Sequence, residues 1–488
     1  MFLSRFRGKL QKKKKESTLI TKKKRLSKIN LPAAASLWYS IANMISRGAT
    51  FIFTPLFTRT LPPSEYGIYS LYTSYMGIFT VITTLELSGN AAYLGLSKFE
   101  RSEKDKFISS ALGLQIFLSA LAFTVYIIFR DGINSATSLS SPLTLLLLLQ
   151  IFINSAEGLY FAKKRYSYNY KPVTLINTAS GLLSPLLALI MIRSGVGGVA
   201  RIIAPLAVSC AFTLPIILKL IVKGKRLYAK EVWKFLISVC LPMLPYYLSL
   251  SVIAQNDKII IAKMLGSAAV GKYSVAYSTG YVLSLMTGGL ALGLAPWIIR
   301  KLKLWEIKKI TNTLSTSMST VCALTLLFLT LVPEVFGLLA PAEYKDALSV
   351  IYPVSASVVF AFLSSLLTSF ILHFNKPRIL LRNALVSALL SVALSLVFIR
   401  NFGYIGGACS TFISYFILFT LNLSSSKRLS GENIINTFTL IKNISLLLFF
   451  SPLLYILRDV LISRIILLIA LTLIFAPEIK KCKSLISR

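Results

Sequence analysis

Long apolar runs recur along the whole chain and constrain its fold more than any other feature of the sequence. Residues 143–149 and 444–457 are two examples. Only 14% of the 488 residues are charged, whereas a soluble protein carries about 25%. A helix needs about 20 apolar residues to cross a bilayer, and the runs provide for about 14 such helices. The sequence therefore predicts an all-α polytopic membrane protein without a large water-soluble catalytic domain.

The boundaries of the predicted spans follow from the apolar segments between clusters of charged residues. The first six spans lie near 33–57, 68–94, 107–129, 142–162, 173–193 and 202–222. The next six lie near 236–261, 273–299, 310–333, 349–373, 379–399 and 404–423, and two more lie near 443–457 and 461–477.

The distribution of basic residues predicts the orientation of the chain. The 53 Lys and Arg residues exceed the 17 Asp and Glu residues and give a formal net charge of +36. In a soluble protein this excess would indicate nucleic acid, but here most basic residues lie in alternate short loops, as the positive-inside rule requires. We therefore expect no nucleic-acid partner, and a multi-pass protein of the cytoplasmic (inner) membrane with both termini in the cytoplasm.

The basic N-terminal segment and the cysteines allow further expectations. In residues 1–30, Phe2, Phe6 and Leu10 are spaced for one face of a helix that lies on an anionic leaflet. A disordered basic tail that holds the N-terminus inside explains the same composition. The five cysteines are scattered, and no metal-ligand cluster stands out. We expect neither disulfide, metal nor cofactor.

The chain contains an internal repeat. The sequence that begins at Arg59 aligns with the sequence that begins at Lys263, 204 residues later, so that a Gly and a Tyr-Ser pair coincide. Two more matches follow in the same order, Lys171-Pro172 with Lys376-Pro377 and Gly197-Gly198 with Gly406-Gly407. This shared register predicts two homologous six-helix lobes around a central cleft that rock against each other.

The repeat divides the chain into predicted segments. The cytoplasmic N-terminal segment is 1–30, the N-lobe is 31–222, and a cytoplasmic linker covers 223–235. The C-lobe is 236–423, a linker with the last two helices is 424–477, and the cytoplasmic tail is 478–488.

Ionisable residues inside the predicted spans are functional candidates, because a charge at the bilayer centre costs about 2.5–3.5 kcal/mol. Arg47 and Lys258 would suit an anionic ligand such as a diphosphate, since Arg presents a fork of donors and Lys a point charge. Glu86, Glu157 and Asp257 are candidates for ion coupling or gating. The alternative is interhelical ion pairs that fix the packing, for instance Arg47 with Glu86.

Tyrosines recur at helical spacing after the first span of each half. Aromatic faces stack on sugar rings while the hydroxyl groups form hydrogen bonds, so some of these tyrosines are candidates for a sugar-binding wall. The candidates are Tyr72, Tyr75 and Tyr277. An interfacial aromatic belt is the interpretation that we favour for Tyr66, Tyr69 and Tyr273.

The C-terminal copy of the repeat, from Gln255 through Asp257-Lys258, Lys263 and Gly266 to Tyr273-Ser274, resembles the hallmark of polysaccharide flippases of the Wzx type. The N-terminal copy from Phe57 to Tyr69 is similar. The resemblance implies membership of the multidrug/oligosaccharidyl-lipid/polysaccharide (MOP) superfamily.

Several functional expectations follow from that resemblance. It implies a flippase that moves a polyprenyl-diphosphate-linked oligosaccharide to the outer leaflet during assembly of O-antigen, capsule or exopolysaccharide. Arg47 and Arg59 look like basic positions that such flippases carry. The last two segments resemble helices of lipid II flippases that form a groove for the lipid tail. Implied partners are membrane lipids, a polysaccharide polymerase and chain-length proteins.

Three alternatives remain open at this stage. A MATE-like multidrug or ion antiporter would share the fold but would need an essential membrane carboxylate. A membrane polymerase or glycosyltransferase would need a sizeable outside loop with catalytic side chains, and the longest candidate, near 130–141, is short and mostly Ser and Thr. The third is a non-transporting scaffold of a biosynthetic complex. We expect no enzyme.

Overall fold

The described part of the chain is built from helices. The computed structural model describes residues 38–39, 41–46, 48–100 and 103–486, and no strand occurs in these ranges. The basic segment 1–30 and Arg47 lie outside the described residues.

The α-helices follow one another in chain order, with a 3₁₀ turn at Gly197–Val199 and another at Ala342–Ala347. Helix α1 comprises residues 41–46 and 48–60. The others are α2 (Pro63–Thr84), α3 (Asn90–Lys98), α4 (Lys104–Ile128), α5 (Arg130–Thr137), α6 (Ser141–Tyr166), α7 (Tyr170–Arg193), α8 (Ala200–Gly224), α9 (Lys230–Leu265), α10 (Ser267–Tyr281), α11 (Leu283–Lys303), α12 (Ile307–Leu339), α13 (Leu348–His373), α14 (Pro377–Phe402), α15 (Tyr404–Ser430), α16 (Thr437–Ile456) and α17 (Leu461–Ile486).

The prediction of an all-α polytopic membrane protein is confirmed. Within the described ranges, eleven helices are long and apolar enough to cross a bilayer. The second and eighth predicted spans are each divided into two helices. Helix α2 ends where Leu85 and Glu86 adopt positive φ of 49° and 53°, and α10 is separated from α11 at Val282.

The first turns of α2 and α10 pack against each other in a reciprocal contact, which we call the α2–α10 seam (residues 63–71 and 267–275). A Cβ on Gly67 would overlap the carbonyl oxygen of Ser267, and a Cβ on Gly271 would overlap that of Pro63. Gly67 and Gly271 are the glycines that the repeat aligns, so two equivalent helices meet about a local two-fold axis. Glycine allows this approach because it has no side chain.

The C-terminal end of α1 in the N-lobe contacts the C-terminal end of α12 in the C-lobe, at the same end of the molecule as the α2–α10 seam. The Thr58 hydroxyl donates to the Leu339 carbonyl at 2.7 Å, and Arg59 Nη2 donates to the Leu338 carbonyl at 3.3 Å. A cation at a helix C-terminus is favourable because the last carbonyl groups lack helical partners. Arg59 therefore stabilises the end of α12.

Helix α9 belongs to both halves of the molecule. Leu236, near its start, is buried in an N-lobe cluster with side chains of α3, α4, α6 and α8, whereas Ile261, near its end, is buried in the large C-lobe cluster. Pro242 and Pro245 lie between these regions. Helix α9 begins inside the segment 223–235, which was predicted as a linker. The chain therefore passes from the N-lobe to the C-lobe within a helix.

The last two helices are attached to the C-lobe through α12. Arg464 on α17 is 6% exposed, and its two terminal nitrogens donate to the Glu334 carboxylate at 2.6 and 2.8 Å. Asn443 on α16 donates to Ser319 on α12 at 2.9 Å. A bidentate Arg–carboxylate pair fixes distance and orientation, so α17 is held in one register on α12.

Replacing Arg464 by alanine is expected to loosen α17. Hydrogen bonds to charged groups contribute about 1.5–3 kcal/mol, and we expect the lower end because the Glu334 side chain is 49% exposed. Thermal unfolding of the detergent-solubilised protein should shift to lower temperature. Lys309→Ala, which removes an exposed pair with Glu306, is the matched control. Equal melting temperatures for the two variants would contradict this account.

Candidate functional site

A cavity of about 440 Å³ lies between the two lobes beside the α2–α10 seam. Helices α1, α2 and α8 line it from the N-lobe, and α9, α10 and α11 line it from the C-lobe. The lining is rich in hydroxyl groups, which belong to Thr50, Thr54, Tyr66, Tyr69, Ser70, Thr73, Ser274, Tyr277, Ser278, Tyr281 and Ser284. The junction of α10 and α11 at Val282 is part of the wall, whereas Leu85 and Glu86 at the break after α2 are not.

Arg201 is the basic residue that the N-lobe contributes. It lies on the first turn of α8, is 6% exposed and lines the cavity. Its guanidinium carbon is 3.9 Å from the ring centre of Tyr69, 4.0 Å from that of Tyr66 and 4.6 Å from that of Phe57. Cation–π contacts of this kind stabilise a desolvated guanidinium by about 2 kcal/mol. The Nη1 atom is buried and has no hydrogen-bond partner among the described residues.

The turn before α8 places Arg201. Glu65 on α2 accepts a hydrogen bond from the Gly198 backbone N–H at 2.5 Å. Gly197 has φ of +70°, and a Cβ on Gly198 would come within 2.7 Å of the Glu65 Cβ. Both glycines are therefore required for the turn to lie against α2. This contact brings the start of α8 next to the aromatic residues that stack on Arg201.

Lys258 is the basic residue that the C-lobe contributes. Its Nζ lies 4.2 Å from the ring centre of Tyr277 and donates to Gln255 Oε1 at 3.2 Å. Tyr277 in turn stacks on Tyr281, with 5.7 Å between ring centres. All four side chains line the cavity, so an ammonium group, an amide and two aromatic rings face the same space.

The electrostatic character of the cavity follows from these residues. Arg201 and Lys258 line it, and the described residues of its lining include no Asp or Glu. Within the part of the chain that the structure describes, neither cation forms an ion pair. Arg201 is buried and Lys258 is half-buried next to Asp257, whose carboxylate points into the C-lobe, so the two cations give the cavity a positive lining that favours an anion. Arg and Lys together suit phosphate oxygens.

The structure separates the predicted tyrosines. Tyr277 lines the cavity, whereas Tyr72 and Tyr75 do not. The Tyr72 hydroxyl donates to Gln150 at 2.8 Å and the Tyr75 hydroxyl donates to the Ala136 carbonyl at 3.2 Å, both on the far side of α2. The cavity face of α2 carries Tyr66 and Tyr69, which we had assigned to an interfacial belt. At 3.6 residues per turn, each step of three residues turns the side chain by about 60°, so the run from Tyr66 to Tyr75 drifts by about half a turn and its two ends face opposite sides of α2.

Of the basic residues predicted for the substrate site, some line the cavity and others do not. Lys258 lines the cavity, whereas Arg59 contacts the end of α12 outside it. Arg47 lies outside the described residues, so its predicted role stays a prediction. Arg201 was not predicted, because it immediately precedes the predicted span 202–222 and was counted as a loop residue.

The three predicted carboxylates lie outside the cavity lining. Asp257 is fully buried in the C-lobe, where its carboxylate accepts hydrogen bonds from the Tyr273 hydroxyl and from Thr411 at 3.2 Å. Glu86 lies in the break between α2 and α3, and Glu157 lies on α6. Asp257 and Lys258 thus point in different directions, as adjacent residues of a helix must.

The arrangement of the helices around the cavity is similar to that of solved membrane transporters. A lipid II flippase, MurJ, in an inward-closed conformation superposes with a TM-score of 0.65 at 16% identity, over 90% of this chain and 98% of that one. An inward-facing MATE multidrug transporter of the MOP superfamily also superposes with a TM-score of 0.65, at 14% identity, over 82% of this chain and 98% of that one.

The chain belongs to the polysaccharide biosynthesis protein family, whose model matches residues 33–301. A curated relative from Haloferax volcanii, described as a probable low-salt glycan biosynthesis flippase, Agl15, is 22% identical over 395 residues, which are 78% of this chain and 81% of the relative. The resemblance seen in the two copies of the repeat is confirmed.

Proposed function

We propose that this protein is a flippase that moves polyprenyl-diphosphate-linked oligosaccharides across the cytoplasmic membrane for surface polysaccharide assembly. The observation that carries the proposal is the pair of cations, Arg201 from one lobe and Lys258 from the other, in a cavity whose described lining includes no carboxylate. A diphosphate head group would bridge them. Family membership and the flippase relative support the same reading.

The mechanism we propose is alternating access. We propose that the α2–α10 seam and the contacts of Thr58 and Arg59 close the end of the cavity that the positive-inside rule assigns to the outside. The diphosphate would enter from the cytoplasmic side and draw the two lobes together around its charge. Opening of the seam would then release the head group and the sugars to the outside.

The prenyl chain would stay in lipid or beside the C-terminal helices. An apolar cavity of about 280 Å³ lies among α13, α15 and α16, and its lining includes Tyr352, Phe412, Leu447 and Tyr455. Apolar lining of this kind suits a hydrocarbon chain, which gains about 0.8 kcal/mol for each buried CH₂ group. This assignment extends the prediction that α16 and α17 form a groove for the lipid tail.

Asp257 is our candidate for coupling to a proton or cation gradient, while Glu86 and Glu157 remain weaker candidates. Asp257 contacts the Tyr273 hydroxyl, and the ring of Tyr273 is 5.7 Å from that of Tyr277, over which Lys258 lies. A change of charge at Asp257 would therefore reach the cavity through two tyrosines.

Replacing Asp257 by asparagine is expected to remove the gradient dependence of transport. Coupling free energies are typically about 1–3 kcal/mol, or about 5- to 150-fold, so the rate under a gradient should fall by that order. Transport into vesicles with and without an imposed proton or sodium gradient measures the effect. Asp459→Asn, at an exposed position, is the control. An undiminished gradient response in the Asp257 variant would exclude this residue from coupling.

The proposed function is tested in vesicles that contain the purified protein and a fluorescent polyprenyl-diphosphate oligosaccharide. Leaflet exchange is followed by loss of fluorescence to a membrane-impermeant quencher. We expect exchange that depends on the protein. Absence of exchange with folded protein would contradict a flippase and favour a scaffold, while antiport of small organic cations instead would favour a MATE-like transporter.

The remaining expectations belong to the same proposal. We place the protein in the cytoplasmic membrane with both termini inside, because that orientation puts most basic loops in the cytoplasm. Transport of the intact lipid-linked glycan requires no catalytic residue in the protein. A polysaccharide polymerase and chain-length proteins would consume the product on the other side.

A further inference from the structure

A second cavity, of about 250 Å³, lies inside the N-lobe among α1, α7 and α8. We call it the side pocket. It shares Thr50, Tyr69 and Arg201 with the central cavity. Arg201 therefore borders both spaces, and a ligand phosphate at its guanidinium would have the central cavity on one side and the side pocket on the other.

Among the residues that the structure describes, the lining of the side pocket is polar but carries no carboxylate and no lysine. The polar groups include the Asn177 amide and the hydroxyls of Ser46, Ser180 and Ser184. The Ser180 Oγ is buried and has no hydrogen-bond partner among the described residues. Buried polar groups are normally hydrogen-bonded, so this hydroxyl is an unused donor and acceptor at the pocket.

Aromatic rings complete the lining. Phe57 and Tyr69 line the pocket and also stack on Arg201. Aromatic faces together with amide and hydroxyl groups match a pyranose ring, which has apolar faces and a rim of hydroxyls. Since a water molecule takes about 30 Å³, the pocket has space for about eight waters, which is close to the size of one monosaccharide.

The size of the side pocket is fixed by backbone contacts. A Cβ on Gly181 of α7 would lie 2.6 Å from the Ser46 Cα on α1, so the two helices touch next to the pocket. Asn177, one turn earlier on α7, donates to Asn43 on α1 at 3.2 Å. These contacts hold the walls at a set separation, as a preformed subsite requires.

We propose that the side pocket binds the sugar that is attached directly to the diphosphate, while Arg201 binds the phosphate next to it. This inference rests on the proposed function and specifies its substrate. Apart from Arg201, which the phosphate engages, the described lining carries no charge. This predicts an uncharged first sugar, since the carboxylate of a uronic acid or the ammonium group of an amino sugar would find no free partner of opposite charge. The remaining sugars would occupy the central cavity.

The test compares two probes on the full-length protein in nanodiscs: farnesyl diphosphate, and farnesyl diphosphate that carries one N-acetylglucosamine or one glucose. Calorimetry gives both dissociation constants. A net hydrogen bond contributes about 0.5–1.5 kcal/mol, so we expect at least one of the sugar probes to bind about fivefold tighter than the bare diphosphate. We call the dissociation constant of farnesyl diphosphate divided by that of the sugar-bearing probe the affinity ratio. In Asn177→Ala and in Ser184→Leu this ratio should fall to one, while the affinity for farnesyl diphosphate stays unchanged.

The control is Thr174→Ala on the same helix, because the Thr174 hydroxyl bonds only to backbone carbonyls of its own helix, those of Tyr170 and Lys171. This variant should keep the wild-type ratio.

A wild-type ratio of one for both sugars, or a ratio unchanged in both pocket variants, would overturn the side-pocket proposal and leave the proposed function intact. If the pocket variants lost affinity for farnesyl diphosphate and for its sugar-bearing form to the same extent, the side-pocket proposal would also be overturned, since the pocket would then act only by placing Arg201. Failure of every probe to bind the wild-type protein would instead contradict the proposed function.

Discussion

Replacing Arg201 by glutamine is expected to reduce export of the lipid-linked glycan by about 30-fold or more. Removing one partner of a buried, hydrogen-bonded charge pair costs about 2–5 kcal/mol, and 1.4 kcal/mol is a factor of ten. The glutamine side chain retains hydrogen-bond donors but loses the charge and the planar fork. Leaflet exchange in vesicles, together with the polysaccharide output of cells, measures the loss.

Two further variants separate binding from folding. Arg201→Lys keeps the charge but loses bidentate geometry and part of the stacking on Tyr66 and Tyr69, so it should retain an intermediate rate. Arg193→Gln, at an exposed position at the end of α7, should retain the wild-type rate. If Arg201→Gln is as stable as the wild type and transports as fast, Arg201 has no role in the substrate site.

Replacing Gly67 by alanine is expected to open the α2–α10 seam. The added Cβ would overlap the Ser267 carbonyl oxygen and lie 3.2 Å from the Gly271 backbone nitrogen, and backbone atoms cannot move aside as a side chain does. Overpacking costs about 1–3 kcal/mol, which would weaken the state in which this end of the cavity is closed. Transport should fall about tenfold or more, because one of the two alternating states loses stability.

Accessibility of the cavity measures the state of the seam. In a cysteine-free background, Ser278→Cys places a thiol in the cavity lining, and a membrane-impermeant maleimide added on the seam side reports its exposure. Labelling should be faster with Gly67→Ala, and equally so with Gly271→Ala because the contact is reciprocal. Gly337→Ala is the control, since a Cβ at this position meets nothing within 4 Å. Unchanged labelling in both seam variants would contradict the proposed gate.

Apolar periodicity was sufficient to predict the class of fold, because a bilayer requires long apolar helices wherever the chain crosses it. The internal repeat also predicted more than topology: the aligned residues Gly67 and Gly271 meet at the seam. Hydropathy could not predict that the second and eighth spans are each two helices. That depends on local backbone, such as the positive φ at Leu85 and Glu86.

The candidate site was only partly predictable. Lys258 was found because it stands inside an apolar segment, whereas Arg201 was missed because it stands at the edge of one. The signal that could have found Arg201 is an asymmetry of the repeat: when Gly197-Gly198 is aligned with Gly406-Gly407, Arg201 corresponds to Ser410. The direction in which a tyrosine points depends on the rotation of its helix, which is set by packing. Tyr72 and Tyr75 illustrate this, since sequence spacing alone could not show which face of α2 lines the cavity.

Titration of the purified protein with farnesyl diphosphate tests most directly whether the inter-lobe cavity holds a diphosphate between Arg201 and Lys258. The wild-type protein should bind one equivalent, with an affinity that weakens as salt is added. Each single glutamine variant should bind more weakly, and the double variant Arg201→Gln, Lys258→Gln should not bind measurably. Undiminished binding by a folded double variant would contradict the account.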